Sequence, residues 1–204
     1  MSTSDSECKS LCGDRDERPY VRTLSLTKVH FLDPKPEDIV VDDIAHGLAG
    51  LCRFTAALKP WYSVAEHCVL GSRRIRDRDQ AREFLIHDAA EYVFGDPASP
   101  IMRAVGSCPF KAALDNFQYF LNMLFLGYGQ LHPSVKILDR AFCATEMHLI
   151  RHQTKEQVEE DYPGCTIMKD QQFLFLERED AAKYWLDEFH FLFPEYKGAS
   201  SLAH

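Results

Sequence analysis

Residues 84–96 read FLIHDAAEYVFGD, and they decide how the rest of the chain is understood. An adjacent histidine and aspartate, His87 and Asp88, interrupt an apolar run of Phe84, Leu85, Ile86, Ala89 and Ala90, with Glu91 one turn later. The flanks predict burial, and a buried charge without a partner is costly, so the fold must bring something to compensate the pair. The segment AREFLIHDAAEYVF (81–94) reads as one helix, closed by Gly95 and the Asp96-Pro97 step. His87, Asp88 and Glu91 are then expected on one side of it.

Other apolar periodicities predict a bundle around that helix. In VVDDIAHGLAGLCRF (40–54), Ile44, Ala45, Leu48, Leu51 and Cys52 fall at helical spacing, and TAALKPWY breaks the run at Pro60. A second helix starts at Ser63, where Ser63 and Glu66 form a candidate capping box, and runs through VAEHCVLGSRRI. KAALDNFQYFLNMLFL (111–126) is strongly apolar and stops at Gly127. PSVKILDRAFCATEMHLIRHQ (133–153) carries Val135, Leu138, Phe142 and Leu149 on one stripe, and EREDAAKYWLDEFHFLF (177–193) ends before Pro194. DYPGCTIM (161–168) reads as a loop, and YVRTLSLTKVHF (20–31) as a short extended or hairpin segment. The expected fold class is all-α, a helix bundle with a short N-terminal extended segment. Residues 1–18 are expected to form a polar, disordered leader and residues 19–204 a single domain.

Composition narrows the function classes. A 46 % hydrophobic and 26 % charged chain has the balance of an ordinary globular protein. No apolar run reaches membrane-span length and the first residues lack a signal-peptide core, so a cytoplasmic protein without membrane partners is expected. The net charge of −8 argues against a nucleic-acid polymer as partner, since phosphate backbones repel an acidic surface. A small anion held locally by one or two arginines remains compatible. The cysteines (8, 12, 52, 68, 108, 143 and 165) form no C-x-x-C pair and read as reduced thiols rather than a disulfide or zinc framework.

The second predicted helix supplies His67, and the fifth supplies Asp139 with Glu146 two turns further along the same face. A lone histidine is more often a hydrogen-bonded core residue, and a lone helix aspartate is more often solvated. The order is more informative than any member: His67, the pair His87-Asp88 and Asp139 lie on three helices that a bundle can converge on one point. Two imidazoles and two carboxylates suit a divalent metal with open positions.

That order, H…HD…D, resembles the HD-domain metal-dependent phosphohydrolases. With Arg53 in LCRF ahead of His67, and Glu91 and Asp96 three and eight residues after Asp88, the chain is similar to their bacterial 5′-deoxynucleotidase and phage deoxynucleoside triphosphohydrolase branch. The front, VRTLSLTKVHFLDPKPEDIVVDDIAHGLAGLCRF, is similar to that branch including its dATP triphosphohydrolases, and the likeness runs from Tyr20 to about His152. The resemblance implies a divalent metal (Zn, Co, Mn or Mg) on His67, His87, Asp88 and Asp139. It implies Glu91 as the group that orients or deprotonates water or protonates the leaving sugar oxygen, and Arg53 as a bidentate phosphate holder. Asp96 would contact the sugar 3′-hydroxyl. Arg103 is a candidate cation near phosphates, and His46, Phe54 and Trp61 are candidate base or sugar contacts, although core packing accounts equally well for these last three.

The expected reaction is hydrolysis of a deoxynucleoside triphosphate, dATP to deoxyadenosine and triphosphate, with 5′-deoxynucleotidase action on monophosphates as the alternative. A metal-stapled nucleotide-binding module and a plain helical interaction protein are the non-enzymatic alternatives. Closed structural zinc has no need of Glu91 and Arg53 beside it, which disfavours the first. The apolar helix at 111–126 and the terminal YWLDEFHFLF are more simply core or a homo-oligomer face.

Overall fold

The computed structural model describes residues 18–98, 101, 102, 104 and 108–198. Nearly all of the expected leader, with Cys8 and Cys12, and the candidate Arg103 lie outside the described residues. Two short strands, β1 (Val21–Arg22) and β2 (Lys28–Val29), pair antiparallel with Val21 opposite Val29. The helices are α1 (Val41–Ala49), α2 (Val64–Ser72), α3 (Arg78–Ile86), α4 (Glu91–Phe94), α5 (Pro109–Leu126), α6 (Pro133–Leu149), α7 (Lys155–Asp161) and α8 (Arg178–Leu192). This is the expected all-α bundle with a short extended segment at its front. No described helix is long and apolar enough to cross a membrane.

The core lies where α8 packs on α1, α2 and α3. Trp185 and Phe189 of α8 stack at 5.3 Å and are fully buried together with Leu48, Val69, Leu85 and Ile86. Trp185 Nε1 donates to the Leu85 carbonyl at 3.3 Å, tying α8 to the last turn of α3. A fully buried Glu66 and a nearly buried Glu83 act as braces. Glu66 accepts the backbone N–H groups of Leu174, Phe175 and Leu176, and Glu83 accepts the Tyr128 hydroxyl and the His132 N–H. Asp43 in α1 likewise takes the Thr23 and Ser25 hydroxyls and the Ser25 N–H, which anchors the strand hairpin.

Three local expectations are corrected. The helix expected over 81–94 ends at Ile86, and residues 87–90 form a tight turn before α4. The His87 ring supplies the reason: its Nδ1 donates to the Phe84 carbonyl at 2.6 Å, the acceptor that a continued helix would offer to the Asp88 N–H. Only half of the expected capping box forms, because Ser63 accepts the Glu66 N–H while the Glu66 carboxylate turns instead to the 174–176 backbone. The first helix stops at Ala49, short of Leu51 and Cys52, and Cys52 bridges to Ser63 in extended conformation. A helix that apolar spacing does not predict forms at 155–161, where Thr154 and Gln157 close a reciprocal capping box.

Candidate metal centre

The break after Ile86 shapes the site. Consecutive residues of a continuous helix point about 100° apart, so His87 and Asp88 would not both face one point. With the helix ended, His87 Nε2 and Asp88 Oδ2 stand 3.1 Å apart. The donor atoms of His67, His87 and Asp88 all lie within 4.8 Å of one another. Asp139, from α6, sets Oδ1 3.3 Å from His67 Nε2 and 3.7 Å from His87 Nε2.

Both imidazoles are held in one orientation from behind. His67 Nδ1 donates to Glu146 Oε1 at 2.6 Å, and His87 Nδ1 donates to the Phe84 carbonyl. Each ring therefore directs Nε2 at the cluster, the arrangement that fixes the tautomer of a metal-binding histidine. Neither Nε2 has a hydrogen-bond partner among the described residues despite the nearby carboxylate oxygens. Donors around a metal at about 2.1 Å in tetrahedral geometry are separated by about 3.4 Å; the spacings of 3.1, 3.3 and 3.7 Å lie near that value, while the set of donors mutually within 4.8 Å takes in His67, His87 and Asp88 and leaves Asp139 at its edge. Donor types, spacing and bare nitrogens thus fit a divalent ion.

The electrostatics agree. Burial works against a charged imidazole at His87, yet Asp88 and Asp139 together push it well above the usual histidine value. Burial works against an ionised Asp139 too, but His67 and His87 hold it well below the carboxylate range. A cluster with two carboxylates, offset only in part by the Arg53 guanidinium 3.8 Å from Asp88, draws positive charge onto its histidines, and a bound cation would replace that protonation.

Glu146 is the hub behind the site. It is fully buried, and Oε1 accepts both Tyr62 Oη (2.7 Å) and His67 Nδ1, while Oε2 accepts Arg53 Nε (3.2 Å) and Nη2 (3.0 Å). Arg53 is thereby buried and bound to a carboxylate, with Nη1 left 3.8 Å from Asp88 Oδ2. The sequence reading singled out Arg53 and noted Glu146, but not their pairing. It also missed Tyr62 and Cys143, although Cys143 lies one turn after Asp139 on the stripe that continues to Glu146, a spacing that could have marked it.

Glu91, at the start of α4, has Oε2 buried without a hydrogen-bond partner among the described residues. Desolvation, then Asp88 and Asp96, push its carboxyl well above the usual value. Asp96 follows Gly95, whose φ of +80° suits glycine, and burial raises its carboxyl while Arg53 opposes the shift. His67, His87, Asp88, Asp139, Arg53, Glu91 and Asp96 are therefore one electrostatically connected group. Phe54 lies under the Arg53 guanidinium at 5.1 Å and packs with Ala144, Met147 and Val158. Trp61 is 41 % exposed. His46 sits elsewhere, on α1 beside Arg178, where burial and then that arginine lower its pKa.

No family model matches the chain. It is 39 % identical over 99 residues to an uncharacterized protein of Rhodobacter capsulatus, covering 44 % of this chain and 50 % of that protein. It is 37 % identical over 84 residues to the uncharacterized protein YfdR of Escherichia coli, covering 41 % of this chain and 47 % of YfdR. The chain thus spans about half the length of the curated relatives it matches.

Proposed function

We propose that the chain is a metal-dependent phosphohydrolase of the HD-domain type acting on deoxynucleotides, with His67, His87, Asp88 and Asp139 as ligands. The observation that carries this reading is the pair of imidazoles pinned at Nδ1 and bare at Nε2, facing two carboxylates, with the unpartnered Glu91 oxygen beside them. A divalent metal bound there would supply Lewis acidity toward a phosphoryl oxygen and toward water.

The chain's own residues do the rest. Glu91, whose carboxyl burial and then Asp88 and Asp96 raise in the metal-free protein, can orient or deprotonate a water or protonate a leaving sugar oxygen. Arg53 presents Nη1 toward the Asp88 side while Glu146 fixes its other edge, which suits it to touch a phosphate oxygen from one direction. Asp96, which interacts electrostatically with Arg53 and Asp88, can accept a hydrogen bond from a sugar hydroxyl.

Of the two substrate classes, the charge of the site favours the shorter. Arg53 is the guanidinium that recurs in the electrostatics of Glu91, Asp96 and Glu146, and its neighbours are mostly acidic. Among the described residues, one partly committed arginine with one metal matches a single phosphate better than three. Release of phosphate from a deoxynucleoside 5′-monophosphate is therefore our preferred form of the reaction, and triphosphate release from dATP is the second.

The test is a panel of dAMP, dATP, AMP and ATP with Co²⁺, Mn²⁺, Zn²⁺ or Mg²⁺, the products separated by chromatography. Deoxyadenosine with inorganic phosphate is expected from dAMP; deoxyadenosine with intact triphosphate from dATP alone would select the second form. No release from any nucleotide under any of these metals would end the phosphohydrolase reading.

A further inference from the structure

Between Asp139 and Glu146 on the inner stripe of α6 lies Cys143, half-buried and free. Its sulfur accepts a hydrogen bond from Arg53 Nη2 at 3.1 Å and donates to Asp139 Oδ1 at 3.4 Å. The acceptor is the same Asp139 oxygen that faces both imidazole Nε2 atoms. The guanidinium nitrogen is the one that also donates to Glu146 Oε2. Nη2 carries two hydrogens, so one goes to Glu146 and the other to Cys143, and Nη1 is thereby turned toward Asp88.

We infer that Cys143 is a positioning residue of the metal site: its thiol ties the Arg53 guanidinium to the metal-facing oxygen of Asp139, fixing both at once. The inference rests on the metal-binding reading above. An aspartate side chain on a helix has two nearly equivalent oxygens, and without a partner either can turn inward. The S–H contact selects Oδ1 and orients its lone pairs, as groups behind metal ligands do, where loss of one typically costs 10-fold to 100-fold in metal affinity. The sulfur's contact with Nη2 resists swinging of the planar guanidinium about its Cδ–Nε bond. Cys68, the other thiol beside the site, is fully buried next to His67 in sequence and bears on His87 instead, so it does not duplicate this link.

The test compares full-length wild type, Cys143→Ala and Cys143→Ser, stripped of metal and titrated with Co²⁺ or Zn²⁺ against a competing chelator. The cobalt visible spectrum and the metal-free thermal midpoint are recorded for each. Alanine suits a helix, so the metal-free Ala variant should fold. The expected result is a Co²⁺ affinity at least tenfold weaker for Cys143→Ala with a changed visible spectrum, and a smaller loss for Cys143→Ser, whose hydroxyl can donate and accept. Affinities within twofold of wild type and an unchanged spectrum for the Ala variant would overturn the inference while leaving the metal site intact. Equal losses for Ala and Ser would also overturn it, by marking the sulfur as packing rather than a hydrogen-bonding link. A wild-type protein that takes up no metal would instead remove the reading on which it rests.

Discussion

His67 donates its Nδ1 proton to Glu146 Oε1 at 2.6 Å, from a fully buried histidine to a fully buried carboxylate 79 residues away. That bond decides which nitrogen faces the candidate metal site, and it shares its acceptor with Tyr62 while Arg53 occupies the other oxygen. Despite burial, the Arg53 charge, followed by His67 and Tyr62, holds Glu146 below the usual glutamate value. Glu146→Gln should therefore act twice. It leaves the buried Arg53 without its charge partner, a loss of about 3–5 kcal/mol of stability. It also lets His67 adopt the other tautomer, weakening metal binding by roughly 10-fold to 100-fold. Chemical denaturation of metal-free protein reads the first effect and chelator competition the second; a variant unchanged in both would show that Glu146 is not the hub.

Asp88 gives a simpler expectation, because it touches His87 and the Arg53 edge without bracing the core. Asp88→Ala should fold, contain less than a tenth of the wild-type metal by elemental analysis, and be inactive. Full metal content would show that the ligand set is wrong.

Glu91 separates chemistry from binding. Glu91→Gln should keep its metal and lose roughly 10²- to 10⁴-fold in turnover, the usual contribution of a positioned acid or base. The same substitution has a consequence for stability with a definite sign. Desolvation raises the Glu91 carboxyl in the folded metal-free protein, so folding favours the protonated form. Its stabilising contribution is complete below the unfolded-state value of about 4.3 and is lost as pH rises through the raised folded value. Metal-free Glu91→Gln should thus be more stable than wild type at neutral pH, with the advantage vanishing below about pH 4. Thermal midpoints across that range check the crossing; a variant less stable than wild type at pH 7 would contradict the buried, unpartnered carboxyl.

What was legible in the sequence was whatever depends on local period and residue type. The helices around Leu48, Val69, Phe117, Phe142 and Trp185 follow from apolar spacing, and the four ligand candidates from their order on separate helices. Less legible was what distant partners decide. Arg53 reads as a phosphate holder until Glu146, 93 positions on, claims one edge of it. Glu66 reads as a capping-box residue until the 174–176 backbone, more than a hundred positions away, takes its oxygens. The break at His87 was hidden for another reason: the competitor for the Phe84 carbonyl is a histidine side chain, which helix propensity does not anticipate. The helix at 155–161 had a visible signal in Thr154 and Gln157, obscured by a strongly polar face with Val158 as its one buried residue.

The Glu66 brace predicts a local effect. Its two oxygens hold three consecutive N–H groups of residues 174–176, a segment in which Phe175 has a φ of +52° and Phe173 packs on Tyr62. Glu66→Ala should cost about 3 kcal/mol, since charge-assisted bonds are lost and partly buried donors are left unpaired. It should also expose 172–176 to limited proteolysis. Glu66→Gln, which keeps one acceptor oxygen, should lose less; equal losses would mean that side-chain volume rather than hydrogen bonding holds the segment.

The Phe84 ring packs against both imidazoles of the candidate site, 5.7 Å from His67 and 4.6 Å from His87, themselves 5.5 Å apart, and lies close against Gly71 one turn after His67. A Cβ at Gly71 would lie 2.0 Å from Phe84 Cε1, far inside contact distance. Gly71→Ala must therefore displace the ring, although its helical backbone would welcome alanine by propensity. Overpacking of this kind costs about 1–3 kcal/mol, and here the shift is directed at a ring that packs against both His67 and His87. The expected outcome is a modest fall in thermal midpoint together with a weaker, spectrally altered cobalt complex. Pairing the change with Phe84→Leu, which vacates the ring volume, should recover stability more than metal affinity, because the gap is filled but the aromatic ring packed against both imidazoles is gone. Full recovery of both would show that Phe84 only fills space and has no part in setting the distance between the two histidines.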